Sequence, residues 1–334
     1  MPVATSRDLG SHCIAAGFLD GTPWFALADG SIHRWAEKES PLQVHRGLLA
    51  AAQTDDGLAV LSSGEDGRVC RTGASGAALE FACVPRKWIT AVASSVHEDV
   101  AYVCGSSVWI VAANSKRRQL QHPRSIEAIA FSPDGRTLGV AGYDGVRLHE
   151  LADPGRTIAF EAKGLGVGLT FSPDGRFVVT RMKEGLVRAW CVSSCRGMHM
   201  SGYPGAVEDW AWSADGKWLV TSGAMAAVAW PFDGADGPMG RAALELGEPS
   251  ASRVAAVACH PSRDWVAMGH ADGQIQLARI DSAEQVSLGL RSRGAITSIA
   301  WHPDGSRIAF GSAPGECGVL EVPIRGDAAK EITP

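Results

Sequence analysis

Short apolar runs alternate with glycine-centred turns along almost the whole chain, and the pattern repeats. In the unit beginning at Ile126, Ile126-Glu-Ala-Ile-Ala-Phe131 reads as a strand and Ser132-Pro-Asp-Gly135 as a tight turn. Thr137 to Ala141 reads as a second strand, Gly142-Tyr-Asp-Gly145 as a second turn, and Val146 to Glu150 as a third strand. Proline presets its own φ and glycine accepts positive φ, so these tetrapeptides reverse the chain between strands. Clear copies begin at Gly166, Val207 and Ile296 and weaker ones at Ile14, Leu48, Ile89 and Val254, with successive anchors 34 to 47 residues apart. That spacing matches a four-stranded propeller blade of roughly 40 residues. A blade cannot bury both faces alone and persists by packing radially on its neighbours. The expectation is an all-β closed propeller of four-stranded antiparallel blades, eight preferred. Seven is the alternative, because the unit from Ile14 is short and that from Ile89 lacks both turn signatures.

The repeats imply one domain over residues 1–334, with units starting near 12, 46, 87, 124, 164, 205, 252 and 294. Ring closure calls for one terminal segment to complete the other end's blade, and either Val3 to Leu9 or Ala328 to Thr333 could supply it. The long spacer from Asp233 to Gly240 reads as a loop between blades six and seven.

Hydrophobic residues at 46% and charged residues at 20% suffice for a sizeable core, and 39 Gly with 17 Pro, spread between apolar runs, suit many short strands. A net charge of −5 offers no general attraction to phosphate backbones or anionic lipid, so neither nucleic acid nor membrane is expected as a partner. No run approaches the ~20 apolar residues needed to cross a bilayer, and Met1 to Gly10 lacks a secretory apolar core. A monomeric cytoplasmic protein is expected. Its eight scattered cysteines read as reduced small hydrophobes.

Chemical motifs are sparse. There is no phosphate-cradling Gly loop ending in Lys-Ser/Thr, no His-Glu-x-x-His and no Gly-x-Ser-x-Gly, so no enzyme and no cofactor is expected. The acids of the second turns, Asp29, Asp66, Asp144, Glu184 and Asp272, read as turn formers that accept backbone N–H bonds. His260 and His302 occupy the first position of equivalent turns and read the same way. One cluster could hold a metal: Cys191, Cys195 and His199 flank a hairpin, and two thiols with an imidazole suit zinc or copper(I). Strand alternation is what would separate them.

Three third strands end in Trp, at Trp35, Trp190 and Trp230. An acidic turn followed by a strand closing on Trp, with Ser-Pro-Asp-Gly before it, resembles the WD-repeat proteins over about residues 12 to 325. The Gly-His pair opening a typical WD repeat is missing from nearly all units and the terminal Trp-Asp pair never appears. Packing is therefore expected to replace the buried His–Asp network of such blades. In that family ligands dock on the narrower face, beside the start of each innermost strand. Carried over, this implies a partner-binding face of Trp88, Thr90, Glu127, Tyr143, Leu165, Val167, Lys183, Glu208, Arg253 and Thr297. The resemblance implies a protein-interaction scaffold; a direct metal-binding protein through the Cys191/Cys195/His199 hairpin and a small-molecule binder or enzyme at the central channel are the alternatives. The segments Met200 to Pro204, Trp230-Pro-Phe232 and Asp236 to Gly240 are similar to those of single-domain bacterial WD-repeat proteins whose relatives accompany CobW-type metal-chaperone GTPases. That likeness implies an accessory role in metal homeostasis, with such a GTPase as partner.

Overall fold

A computed structural model describes residues 4–36, 40–153, 155–247, 250–282 and 284–322. They form eight four-stranded antiparallel sheets, the blades of one ring. Blade one is Cys13–Leu19, Thr22–Leu27, Ser31–Arg34 and Leu42–Gln43; blade two is Leu48–Gln53, Ala59–Gly64, Arg68–Gly73 and Ala78–Cys83. Blade three is Ala91–Ser94, Val100–Cys104, Ser107–Val111 and Arg117–Gln121; blade four is Ile126–Phe131, Thr137–Gly142, Gly145–Glu150 and Thr157–Glu161. Blade five is Gly166–Phe171, Phe177–Met182, Leu186–Cys191 and Gly197–Met200; blade six is Trp210–Trp212, Trp218–Thr221, Ala227–Pro231 and Leu244–Leu246. Blade seven is Val254–Cys259, Trp265–His270, Gln274–Arg279 and Gln285–Arg291. Blade eight is Ile296–Trp301, Arg307–Ser312 and Glu316–Glu321, completed at its rim by Ala4–Asp8.

The closing pair runs antiparallel from Ala4↔Leu320 to Asp8↔Glu316. Leu9 N–H extends it by donating to Gly315 O (2.9 Å). The amino-terminal segment thus covers the rim edge of blade eight; Ala328 to Thr333 lies outside the described residues. The Asp233–Gly240 spacer is not between blades six and seven as its sequence suggested. It joins the third and rim strands of blade six, because Leu244–Leu246 follows it and pairs back onto Ala227–Ala229.

Each tight turn forms for a local reason. The Ser132 hydroxyl donates to Asp134 Oδ1 (2.6 Å), Arg136 N–H donates to the same oxygen (3.1 Å), and Thr137 N–H donates to Ser132 Oγ (3.0 Å). Gly135 then takes φ +66°, the left-handed geometry the reversal requires. In blade three Glu98 holds that position at φ +63°, so the turn survives without its glycine signature.

Cohesion comes from apolar layers between blades. Every described core cluster spans two neighbours: Leu138 and Val140 meet Val108 and Ile110, and Phe177 meets Leu219 and Phe232. One cluster, with Cys13, Phe25, Ala309 and Cys317, bridges blades one and eight across the seam. Each large side chain so buried contributes about 1.5–3 kcal/mol, which is how the radial packing holds the ring.

Candidate partner-binding face and channel mouth

Four antiparallel strands per blade fix which loops share a rim. The segment entering an innermost strand and the turn between second and third strands lie at one end, and the other two turns lie at the opposite end. The ten residues of the expected face all fall at the first rim. Trp88 is 59% exposed, Tyr143 50% and Met225 43%. The Arg124 guanidinium lies 4.7 Å over the Tyr143 ring and its Nε 3.1 Å from Asp144 Oδ2, so a cation and an aromatic are held together there. Thr90, Glu127 and Lys183 are exposed, and Leu165 and Val167 half-buried. Glu208 and Arg253 pair at 2.7 Å. Thr297 is committed to the frame, its hydroxyl donating to Cys13 O (2.7 Å) across the blade seam.

A feature with no sequence signal shapes this rim. In six blades the innermost strand bulges just after it starts, leaving Ile14, Leu49, Glu127, Val167, Ala255 and Thr297 without a register partner. A bulge re-aims its extra side chain, so one residue per blade is turned out of the ladder. Below lies a cavity of about 750 Å³, lined by innermost-strand residues of blades six, seven, eight and one, among them Glu208, Asp209, Trp210, Thr297 and Ser298. Asp209 Oδ2 accepts from Val257 N–H (2.9 Å), bracing blade six against blade seven, while burial pushes its carboxyl above the usual range.

At the junction of blades five and six Arg181 reaches inward over Gly168 and lies 4.9 Å over the Trp210 ring. A Cβ on Gly168 would meet Arg181 Nε, so glycine there lets the guanidinium end lie flat against the strand.

The cysteine hairpin does not gather into a metal site. Register pairs His199 with Arg188 and Met198 with Ala189, so alternation puts Cys191 and His199 on opposite faces. Among the described residues no group of three His, Cys, Asp or Glu side chains is placed to hold a metal. The Ser193 and Ser194 hydroxyls hold the half-buried Cys191 thiol down to about 7, while Cys195 is exposed.

The turn acids sit in varied surroundings. Asp29 accepts from Ser31 N–H (3.0 Å) and Asp272 from Gln274 N–H (3.2 Å). Glu184 accepts from Leu165 N–H (3.4 Å), and Asp144 turns to Arg124. Asp66 belongs to a network the sequence reading did not anticipate. The buried His45 ring places Nδ1 3.1 Å from Asp66 Oδ1 and Nε2 2.9 Å from Ser62 Oγ. Blade two therefore keeps a His–Asp brace without a Gly-His opening. The available signal was the 21-residue separation of a histidine before one innermost strand and the next turn acid.

The family described as "WD domain, G-beta repeat" matches residues 114–146, and that described as "Anaphase-promoting complex subunit 4 WD40 domain" matches residues 257–331. Two stretches of the chain are thus similar to WD40 repeats. Telomerase protein component 1 of Rattus norvegicus is 28% identical over 185 residues, 53% of this chain and 7% of that protein. Meiotic recombination protein rec14 of Schizosaccharomyces pombe is 28% identical over 142 residues, 40% of this chain and 47% of its own length. Target of rapamycin complex subunit LST8 of Saccharomyces cerevisiae is 28% identical over 90 residues, 26% of this chain and 30% of its own length. The chain thus spans less than half the length of each of these relatives. A crystal structure of the computationally designed Ika8 protein superposes with TM-score 0.75 at 18% identity, covering 95% of this chain and 98% of that one. That likeness is one of fold.

Proposed function

We propose that the chain is a non-catalytic platform that binds protein partners on the rim carrying Trp88, Tyr143 and Met225. The observation that carries this reading is the exposure of those three side chains at one end of a rigid ring, with Arg124 stacked on Tyr143. Aromatic and arginine anchors dominate the energetics of protein interfaces, and isolated large apolar groups on a loop rim are what a partner would desolvate. A relative that is, by name, a complex subunit supports the same reading. Eight free cysteines accord with a reducing compartment such as the cytoplasm. The similarity to WD-repeat proteins accompanying CobW-type GTPases nominates such a GTPase as the first partner to try, and with it an accessory role in metal handling. Capture from native extract with the wild type and with Trp88→Ala/Tyr143→Ala tests the proposal. Proteins retained by the wild type and lost from the variant support it; identical retained sets overturn it.

A further inference from the structure

The seam between blades three and four concentrates positive charge. Arg118 comes from the rim strand of blade three and His122 from the segment after it. Arg147 and His149 come from the third strand of blade four, on the face they share with Val140 and Leu138, which packs against blade three. The His122 and His149 rings meet edge to face with centroids 5.1 Å apart, and Arg118 Nη1 donates to Leu151 O (3.2 Å). His122 is only 9% exposed. Its Nε2, the Nε2 of His149, and the Nε and Nη2 of Arg118 are all shut off from solvent without a hydrogen-bond partner. Buried polar groups are rarely left so, and four in one seam point to a missing acceptor.

Most of the carboxylates that could fill that role are engaged elsewhere. In blade two the corresponding histidine, His45, has Asp66 as its partner. In blade four Asp144 pairs with Arg124 (3.1 Å) and Glu150 with Arg156 (3.0 Å). Glu161, exposed on the same face beyond Ala159, forms no ion pair among the described residues. Two guanidinium groups beside two imidazoles would repel a cation, so a metal does not fit. The Thr157 hydroxyl stands 3.3 Å from His149 Nδ1; with that hydroxyl as donor, the ring proton is left on Nε2.

We propose that this seam binds an oxyanion of the phosphate class, free or carried on a phosphorylated side chain, between Arg118, Arg147 and the Nε2 atoms of His122 and His149. Arginine supplies the charge and the fork geometry such oxygens take, and the imidazoles add donors. The seam's own groups disfavour imidazolium. Burial first, then repulsion from His122, Arg118 and Arg147, holds His149 at about 4, and burial with Arg147 holds His122 below its ordinary value. An anion between the rings stabilises their protonated forms and raises both values. Binding therefore takes up protons and tightens as pH falls.

The test is calorimetric titration of the intact chain with inorganic phosphate at constant ionic strength, at about pH 6 and about pH 8. Arg147→Gln, an exposed position that leaves the fold in place, is the comparison, with imidazole NMR of His122 and His149 as a second readout. Expected are one saturable site, about tenfold tighter at the lower pH when affinities are referred to the same ionisation state of phosphate, about tenfold weaker in the variant, and upward pKa movement of both histidines on adding phosphate. A phosphoserine peptide that binds more tightly than inorganic phosphate assigns the anion to a partner chain; weaker peptide binding assigns it to a free ion, and either result supports the site. No saturable binding of either probe, or binding that Arg147→Gln leaves unchanged, overturns it.

Discussion

At the scale of single residues the turns carry the most exact information. Asp134 accepts from the Ser132 hydroxyl and the Arg136 N–H, and those bonds hold its carboxyl below the usual range. Asp134→Asn keeps the shape and weakens both acceptor bonds, so chemical denaturation should show a loss of about 0.5–1.5 kcal/mol. Glu98 sits at a φ that glycine occupies in the equivalent turn. Glu98→Gly relieves a left-handed strain of about 1 kcal/mol and should raise the denaturation midpoint. Gly145→Ala places a methyl group against the Phe160 backbone carbonyl at a positive φ, and the forced displacement should cost about 1–3 kcal/mol in the same assay. The proline, glycine and acid of these turns were legible because their effect is local. His45 was not, since its meaning depends on Asp66, 21 residues away. Nor was the pairing of Arg181 with Gly168, which only the register of two neighbouring strands in blade five creates.

Among elements, the three inner strands of most blades announce themselves by apolar runs, and the rim strands do not. Arg117–Gln121 is largely exposed and polar, so no periodic apolar face marks it. The same weakness explains the misplaced spacer in blade six, whose rim strand is only Leu244–Leu246. The bulges at Glu127, Val167 and Thr297 also lack a sequence signal, because they arise from strand register rather than residue type. Of the two candidate closing segments, Ala4–Asp8 occupies the rim of blade eight through five paired positions. Deleting residues 1–9 removes that ladder and bares the edge of Glu316–Glu321. Denaturation should then show a loss of about 2–5 kcal/mol, together with a concentration-dependent tendency to associate; an unchanged midpoint would mean the strand does not brace the ring.

For the whole molecule, proton balance and the two rims make separable demands. Burial lowers His33, His45, His122, His149 and His260, so each is kept neutral in the folded ring while the unfolded chain protonates near its ordinary value. Protons thus favour the unfolded chain below about pH 6.5, and the contribution is complete only above it. Melting temperature should be flat from about pH 7 to 8 and fall towards about pH 5, with a further drop below about pH 4 as Asp56 and Asp134 lose their bonds. The rims differ in chemistry. One presents Trp88, Tyr143 and Met225, whereas the other exposes Leu58 and Val96, with no large exposed aromatic on that rim among the described residues. The most direct measurement is the dissociation constant of a purified partner against the wild type, Trp88→Ala/Tyr143→Ala and the opposite-rim variant Leu58→Ser/Val96→Ser. The account predicts a loss of tenfold or more, about 1.4 kcal/mol or greater, for the first variant and wild-type affinity for the second. Full affinity in the first, or a loss confined to the second, would contradict it.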